Sequence, residues 1–404
     1  MAVLDADLGE IPWQRWRDDP SPIYRELRDL HPVFHEPSRS LYLVTRYDDV
    51  ELVLKDSQRF SSVAANIVGK NRISPLRQED PPKHGFLRKI VMPLFRPNEM
   101  RRLQGYFDQL AKDLLDEAEK SDVVEVSSQL AVPLPGRVTC DILGVPLDQH
   151  KRFYELTAER EDLIHMADGR FADDGSRRSL AEIQDDLWGI VGPVVEARRR
   201  EPRHDATTLL VQAQEEHGQD AISDELIVDM LLHLLTGGFH TTQHLVESMT
   251  SYLSDNPATW QRMRADRSLV PKAVEEMLRY DTPVQAHRRR PVEDVELHGV
   301  TIPADSTISA VVGSANRDER VFDDPDTFSL DRDTTRHMAF STGIHYCPGA
   351  PVTRFEVKAL FEEMLNRYDT IERMGPSSRW PQESETVDSM AGYSSVPVRL
   401  HRVD

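Results

Sequence analysis

A chain of 404 residues has room for a large core, and a net charge of −20 argues against nucleic acid as a partner. Hydrophobic residues make up 39% and no apolar run approaches membrane-spanning length, so a membrane-embedded class is excluded and no membrane partner is expected. The two cysteines, Cys140 and Cys347, exclude a disulfide framework and fit a reducing cytoplasm, and the acidic opening Met1-Ala2-Val3-Leu4-Asp5 is not a signal peptide.

Residues 23–30 pattern as a short helix, 41–45 as a strand and 50–55 as a helix. Residues 61–78 show little periodicity and read as an irregular loop. Pro81-Pro82 can start a helix, on which His84 and Arg88, four apart, share a face. Two cation-capable donors there suit a carboxylate pair; a solvated helix start explains them equally well. Residues 99–120 are helical, 122–126 are a candidate strand, and 130–143 hold a helix ending near Gly144. Residues 150–200 read as two helices around the polar turn Ala167-Asp168-Gly169-Arg170.

Ser223 is an N-cap, with Asp224 and Glu225 in the first turn of a helix of about 30 residues, about 45 Å long. Its middle carries Thr236-Gly237-Gly238-Phe239-His240-Thr241-Thr242. Two glycines inside a helix cost about 2 kcal/mol relative to Ala, which predicts a close approach or a local distortion. His233, Gly237, His240, Thr241 and His244 fall on one stripe. His240 and His244 have the spacing of a metal pair but lack a third ligand nearby, so packing or solvation is the plainer reading for His244.

Residues 273–280 are helical and place Glu276 and Arg279 at i,i+3. Strands follow from 283–287. In the run Arg288-Arg289-Arg290, alternation sends Arg289 to one face and its neighbours elsewhere. Residues 307–313 read as a buried strand and 390–395 as a turn between strands. Cys347 sits in the Gly-bounded loop Phe340-Ser341-Thr342-Gly343-Ile344-His345-Tyr346-Cys347-Pro348-Gly349, just before a helical pattern. The helix dipole and unpaired backbone N–H groups there favour a thiolate, the form a haem iron takes as fifth ligand. A buried structural cysteine is the plainer reading of a lone Cys.

The loop resembles the haem-binding signature of the cytochrome P-450 superfamily of haem-thiolate monooxygenases. Phe340, Gly343, His345, Cys347 and Gly349 match; Ser341 stands where a Gly is usual. The segment around His84 and Arg88, the Gly237–Thr241 motif, Glu276-x-x-Arg279 and the stretch from Ala315 to Arg332 resemble the same family in the same order, over roughly residues 15–400. The resemblance implies a single domain over 1–404 with the cytochrome P-450 fold, mainly α with a smaller β region. It implies haem b (iron protoporphyrin IX), with Cys347 as the metal ligand and His84, Arg88, Arg289 and His345 on the propionates. Phe340, Gly349, Gly237 and Gly238 complete the cofactor site. Thr241 is implied as the alcohol that supports proton delivery. The residue before it is usually Asp or Glu; here it is His240, a proton shuttle, a substrate contact or a hydrogen-bonded strut. His233, Gly237, Gln285 and Tyr393 are the expected substrate contacts, and Glu276 and Arg279 are structural, locked to the surroundings of Arg332. The partners implied are O2, a small-molecule substrate, and a ferredoxin-type electron donor with its NAD(P)H-dependent reductase, docking near Arg354 and Lys358. The activity implied is oxidation of a small molecule in bacterial natural-product biosynthesis, with oxidative coupling or dehydrogenation as the rival reaction and a haem sensor as the non-enzymatic one.

Overall fold

The computed structural model describes residues 11, 13–37, 41–63, 75–165, 178–379 and 391–403. Most of the expected loop at 61–78, the turn at 167–170 and Met390 lie outside them. Helix α1 (Ser21–Leu30) leads into strands β1 (Val33–Glu36), β2 (Leu41–Val44) and β3 (Phe60–Ser61). Then come α2 (Lys83–Val91), α3 (Pro97–Ala118), the short strand β4 (Val124–Glu125) and α4 (Pro133–Leu143). The helix expected over 130–143 is preceded by a π-helical turn, Ser127–Ala131, which runs through Val132 into the α-helix at Pro133. Gly144, at φ 86°, ends it. Helices α5 (His150–His165) and α6 (Leu180–Arg200) follow.

The long helix α7 (Asp224–Asp255) has 32 residues and begins as expected, with the Leu226 N–H donating to Ser223 Oγ at 3.1 Å. Residues 239, 240 and 242–251 are buried on every face, the mark of a helix through a protein interior. The glycine pair is explained by a close approach: a Cβ on Gly238 would stand 2.8 Å from Thr139 Oγ1 on α4. The helix runs unbroken through both glycines.

Helix α8 (Leu269–Tyr280) carries Glu276 and Arg279, both fully buried. Arg279 forks onto the Glu276 carboxylate at 2.7 and 2.8 Å and donates to the Asn316 and Pro325 carbonyls at 2.9 and 2.8 Å. Arg332 Nε and the Ser329 N–H donate to the same Glu276 oxygen at 3.1 and 2.9 Å. Two side chains of one helix thus clamp a segment with little regular structure of its own.

Strands β5 (His287–Pro291) and β6 (Thr307–Ala310) complete a five-stranded sheet in the order β1-β2-β6-β5-β3. Strands β2 and β6 pair in parallel, Leu41 opposite Thr307 and Val44 opposite Ala310. The strand expected to reach Gly313 stops at Ala310 because its partner β2 ends at Val44; the Val311 N–H still reaches the Val44 carbonyl before the chain turns helical. Helix α9 (Ala350–Arg367) follows the Cys347 loop. After it come β7 (Tyr368–Arg373), β8 (Ser378–Arg379), β9 (Tyr393–Ser395) and β10 (Pro397–Arg402). β4, β10 and β7 form a second sheet, and β8 pairs with β9.

Candidate functional site

The Cys347 N–H donates to the Phe340 carbonyl at 2.9 Å and closes the loop ahead of α9. Gly343, at φ 68°, and Ser341, at φ 60°, bend it into the left-handed region. For a non-glycine residue that conformation costs about 1–2 kcal/mol, which gives the unusual Ser341 a physical penalty. Burial pushes the Cys347 thiol above its ordinary range, against the opposing pull of the Gly349 and Ala350 amides and the Arg88 and Arg354 guanidiniums. The amides at the start of α9 thus pull toward the thiolate as the sequence suggests, while burial pulls the other way. A cation at the sulfur would add to the first. A Cβ on Gly349 would lie 3.8 Å from Sγ, an ordinary van der Waals contact.

Basic groups converge beside this loop. His84 on α2 and His345 face each other with ring centroids 4.2 Å apart. Among the described residues His84 Nε2 is buried without a hydrogen-bond partner. His345 Nε2 lies 3.0 Å from Ser62 Oγ, and its Nδ1 lies 3.2 Å from the Leu76 carbonyl. Arg88 reaches the Tyr346 carbonyl at 2.6 Å. The strand alternation holds: Arg289 is 4% exposed and turned inward, while Arg290 pairs with Asp305. Arg289 donates to the Arg288 carbonyl at 2.8 Å, and no carboxylate bonds it among the described residues. Burial pulls His345 down to about 3, helped by Arg289 and His84, and lowers His84 as well; it brings Arg289 down to about 10. Of these four, His84 and Arg289 are buried with polar capacity left over, which an anion would meet.

Side chains that keep accessible area while lying deep in the protein border an internal hollow. His233 and His287 do so, and burial holds both near 3. Gly237 has open space where its Cβ would be. Thr241, one turn on, donates its hydroxyl to the Gly237 carbonyl at 2.9 Å. Expected residues from α7 thus reach the hollow as a stripe. His240 differs from Thr241 in surroundings: it is buried, edge-on to Phe239 at 4.9 Å and 6.1 Å from the Tyr154 ring of α5. Gln285 is engaged elsewhere: Tyr24 donates to its Oε1, and its Nε2 donates to the Thr282 carbonyl at 2.6 Å. Each end of the amide expected to meet substrate thus already has one partner within the protein. Tyr393 keeps partial exposure at the start of β9. On the outer face, Arg354 forks onto Glu275 at 2.5 and 2.9 Å, and Lys358 pairs with Glu362 at 2.9 Å. The two cations expected to steer a partner are therefore already held by carboxylates.

Sequence reading missed His287, whose place on the inward face of β5 follows from the same alternation that found Arg289. It also missed Glu356, fully enclosed on α9, which accepts from Thr242 Oγ1 at 3.1 Å. Burial raises Glu356 from 4.5 to about 8, opposed only by that hydrogen bond. Between those values the native state holds a proton that the unfolded chain has released. The contribution of Glu356 is therefore fully present below about pH 4.5 and is lost as pH rises toward about 8, by at most about 5 kcal/mol. Thermal unfolding across this range should show the decline in the wild type, and Glu356→Gln should flatten it. An equal slope in both would assign the decline to other groups.

A protein-family model described as cytochrome P450 matches residues 8–387. Cytochrome P450 109 of Bacillus spizizenii is 32% identical over 403 residues, covering 97% of this chain and 95% of its own. Nocardicin C N-oxygenase of Nocardia uniformis is 32% identical over 385 residues, covering 90% of this chain and 92% of its own. Among solved structures, CYP109E1 of Bacillus megaterium in complex with testosterone matches with a TM-score of 0.83 at 30% identity, covering 96% of this chain and 99% of that one.

Proposed function

The chain belongs to the cytochrome P450 family, and on that premise we propose that it is a bacterial monooxygenase placing one oxygen atom into a small natural product. The family is one of oxidoreductases carrying iron protoporphyrin IX on a cysteine thiolate. Dioxygen activation is the chemistry that bound haem supplies. The observation that carries the reading is the convergence of Arg289, His84, Arg88 and His345 beside the Cys347 loop. Among the described residues no carboxylate is hydrogen-bonded to buried Arg289 and nothing bonds His84 Nε2; Asp80 acts on both only through space, so the set fits two propionates.

In this reading Cys347 would hold the haem iron, with Phe340 and Gly349 in the same loop, while Gly238 lets α7 pack against Thr139 of α4. Gly237 leaves room beside Thr241. The Thr241 hydroxyl, now donating to the Gly237 carbonyl, can turn to hold a proton or water on the hollow side. His240 joins the turn carrying Thr241 to α5 through Tyr154, a supporting part in proton handling. His233 and Tyr393 meet the substrate. Glu276 and Arg279 hold the segment before the loop. One C–H or heteroatom gains one oxygen, the second oxygen leaves as water, and NAD(P)H supplies two electrons through a ferredoxin-type protein and its reductase. Nocardicin C N-oxygenase supports a natural-product setting. The free Cys140 and Cys347 support a cytoplasmic one, and no helix among the described residues is long and apolar enough to cross a membrane.

Turnover reconstituted with a ferredoxin, its reductase, NAD(P)H and isotopically labelled dioxygen tests this. The expected product carries a single labelled oxygen atom. Products that have lost hydrogen or joined together, with no label, would replace insertion by dehydrogenation or coupling.

A further inference from the structure

Three polar side chains sit in the fully buried part of α7, one turn beyond Thr241: Gln243, His244 and Glu247. His244 and Glu247 have no exposed side-chain surface, and His244 Nδ1 lies 2.9 Å from Glu247 Oε2. Gln243 Nε2 donates to the other carboxylate oxygen at 3.0 Å. Enclosing a carboxylate costs on the order of several kcal/mol, and apolar side chains of similar size would fill the same space without that cost. The group is therefore poorly explained as a source of stability.

Its third bond points elsewhere. Glu247 Oε2 also accepts the backbone N–H of Tyr393 at 3.2 Å. The neighbouring Gly392 is buried, and a Cβ there would stand 1.8 Å from His244 Nδ1, so no other residue can occupy that place unless the turn or the enclosed His244 ring moves. On the other side the Ala391 N–H donates to the Pro283 carbonyl at 2.8 Å. The Tyr393 ring is held separately: the Arg379 guanidinium lies over it at 5.0 Å. Arg379 stands 3.6 Å from Asp281, which accepts from Ser248 Oγ of α7 at 2.8 Å. Backbone and ring of Tyr393 are thus both referred to the helix that carries Thr241.

We propose that the Gln243–His244–Glu247 cluster, fitted against Gly392, is a positioning device that sets how far the 391–393 turn reaches into the substrate hollow and so which bulky ligands fit. This rests on the reading above that Tyr393 is a wall of that hollow. The residues act through Tyr393 and touch no substrate themselves.

The test uses the haem-loaded protein and two azoles, imidazole as a small probe and clotrimazole as a bulky one, titrated by displacement of the haem band. One variant combines Gln243→Leu, His244→Leu and Glu247→Leu; a second is Gly392→Ala. Replacing the side chains by apolar ones is often neutral in itself, but the Tyr393 N–H loses its acceptor, so the triple variant should unfold somewhat below the wild-type temperature. Clotrimazole affinity should change by about tenfold in both variants, with imidazole affinity and the carbonyl spectrum unchanged. Should the triple variant fail to fold, Gly392→Ala alone decides by the same comparison. Tyr393→Ala separates the two ideas. If it leaves clotrimazole binding untouched, the wall reading fails. If it shifts clotrimazole binding while neither other variant does, the positioning device fails. Equal shifts for both azoles mean general damage to the haem site and also overturn it.

Discussion

Cys347→Ser is expected to remove the long-wavelength Soret band from the reduced carbonyl complex and to abolish product formation. A serine oxygen is a far weaker electron donor than a thiolate, and thiolate donation is what favours O–O cleavage. The rest of the site is left in place, because the loop is closed by the Cys347 backbone N–H rather than by its sulfur. The haem itself should remain detectable by its ordinary absorption, held by Arg289, His84, Arg88 and His345. Cys140→Ser is the control. Cys140 is 1% exposed on α4, and burial pushes its thiol up to about 12, so it is an inert packed side chain. That change should cost about 1 kcal/mol of stability and leave the spectrum intact. A Cys347→Ser protein with an unchanged carbonyl spectrum would overturn the ligand assignment.

Glu276→Ala is expected to destabilise the protein by about 3–5 kcal/mol, the largest single effect on stability among these changes. The loss strands Arg279, whose side chain is fully enclosed, and leaves Arg332 and the Ser329 N–H without their acceptor. Arg279→Ala should cost a similar amount, since it frees two backbone carbonyls as well as the carboxylate. The two changes together should cost clearly less than their sum, because each removes the same interaction. Denaturant unfolding of the four proteins measures this. Additive losses would mean that the pair does not act as one unit. Haem retention should fall in parallel, since the clamped segment leads directly into the Cys347 loop.

Much of this arrangement was legible in the sequence, for reasons particular to each residue. Ser223 and the acidic first turn located α7, because an N-cap is a local interaction. Arg289 was separable from Arg288 and Arg290 because strand alternation is geometric. The close approach at Gly238 was foreseeable in kind, though not its partner Thr139, which lies about a hundred residues away and meets it only through packing. Gln285 illustrates the limit. Nothing local to residues 283–287 says that Tyr24 will take its amide. Glu356 and Glu247 show the same limit from the other side: glutamates on helices read as solvated, and only the assembled core reveals that they are enclosed.

The pairing of β2 with β6 bears on how the molecule is made. Residues 41–44 must wait for residues 307–310, β3 for β5, and β4 for β10. Closing such wide loops is entropically costly and slow, while the helices between them can form from local contacts. On a ribosome, the β1–β2 hairpin emerges early and then carries an open edge through most of translation, the kind of edge that invites wrong partners. The proposed haem cradle draws its residues from position 84 to position 349. It can therefore be complete only when the chain nearly is, which makes cofactor capture a late event in the life of the nascent protein.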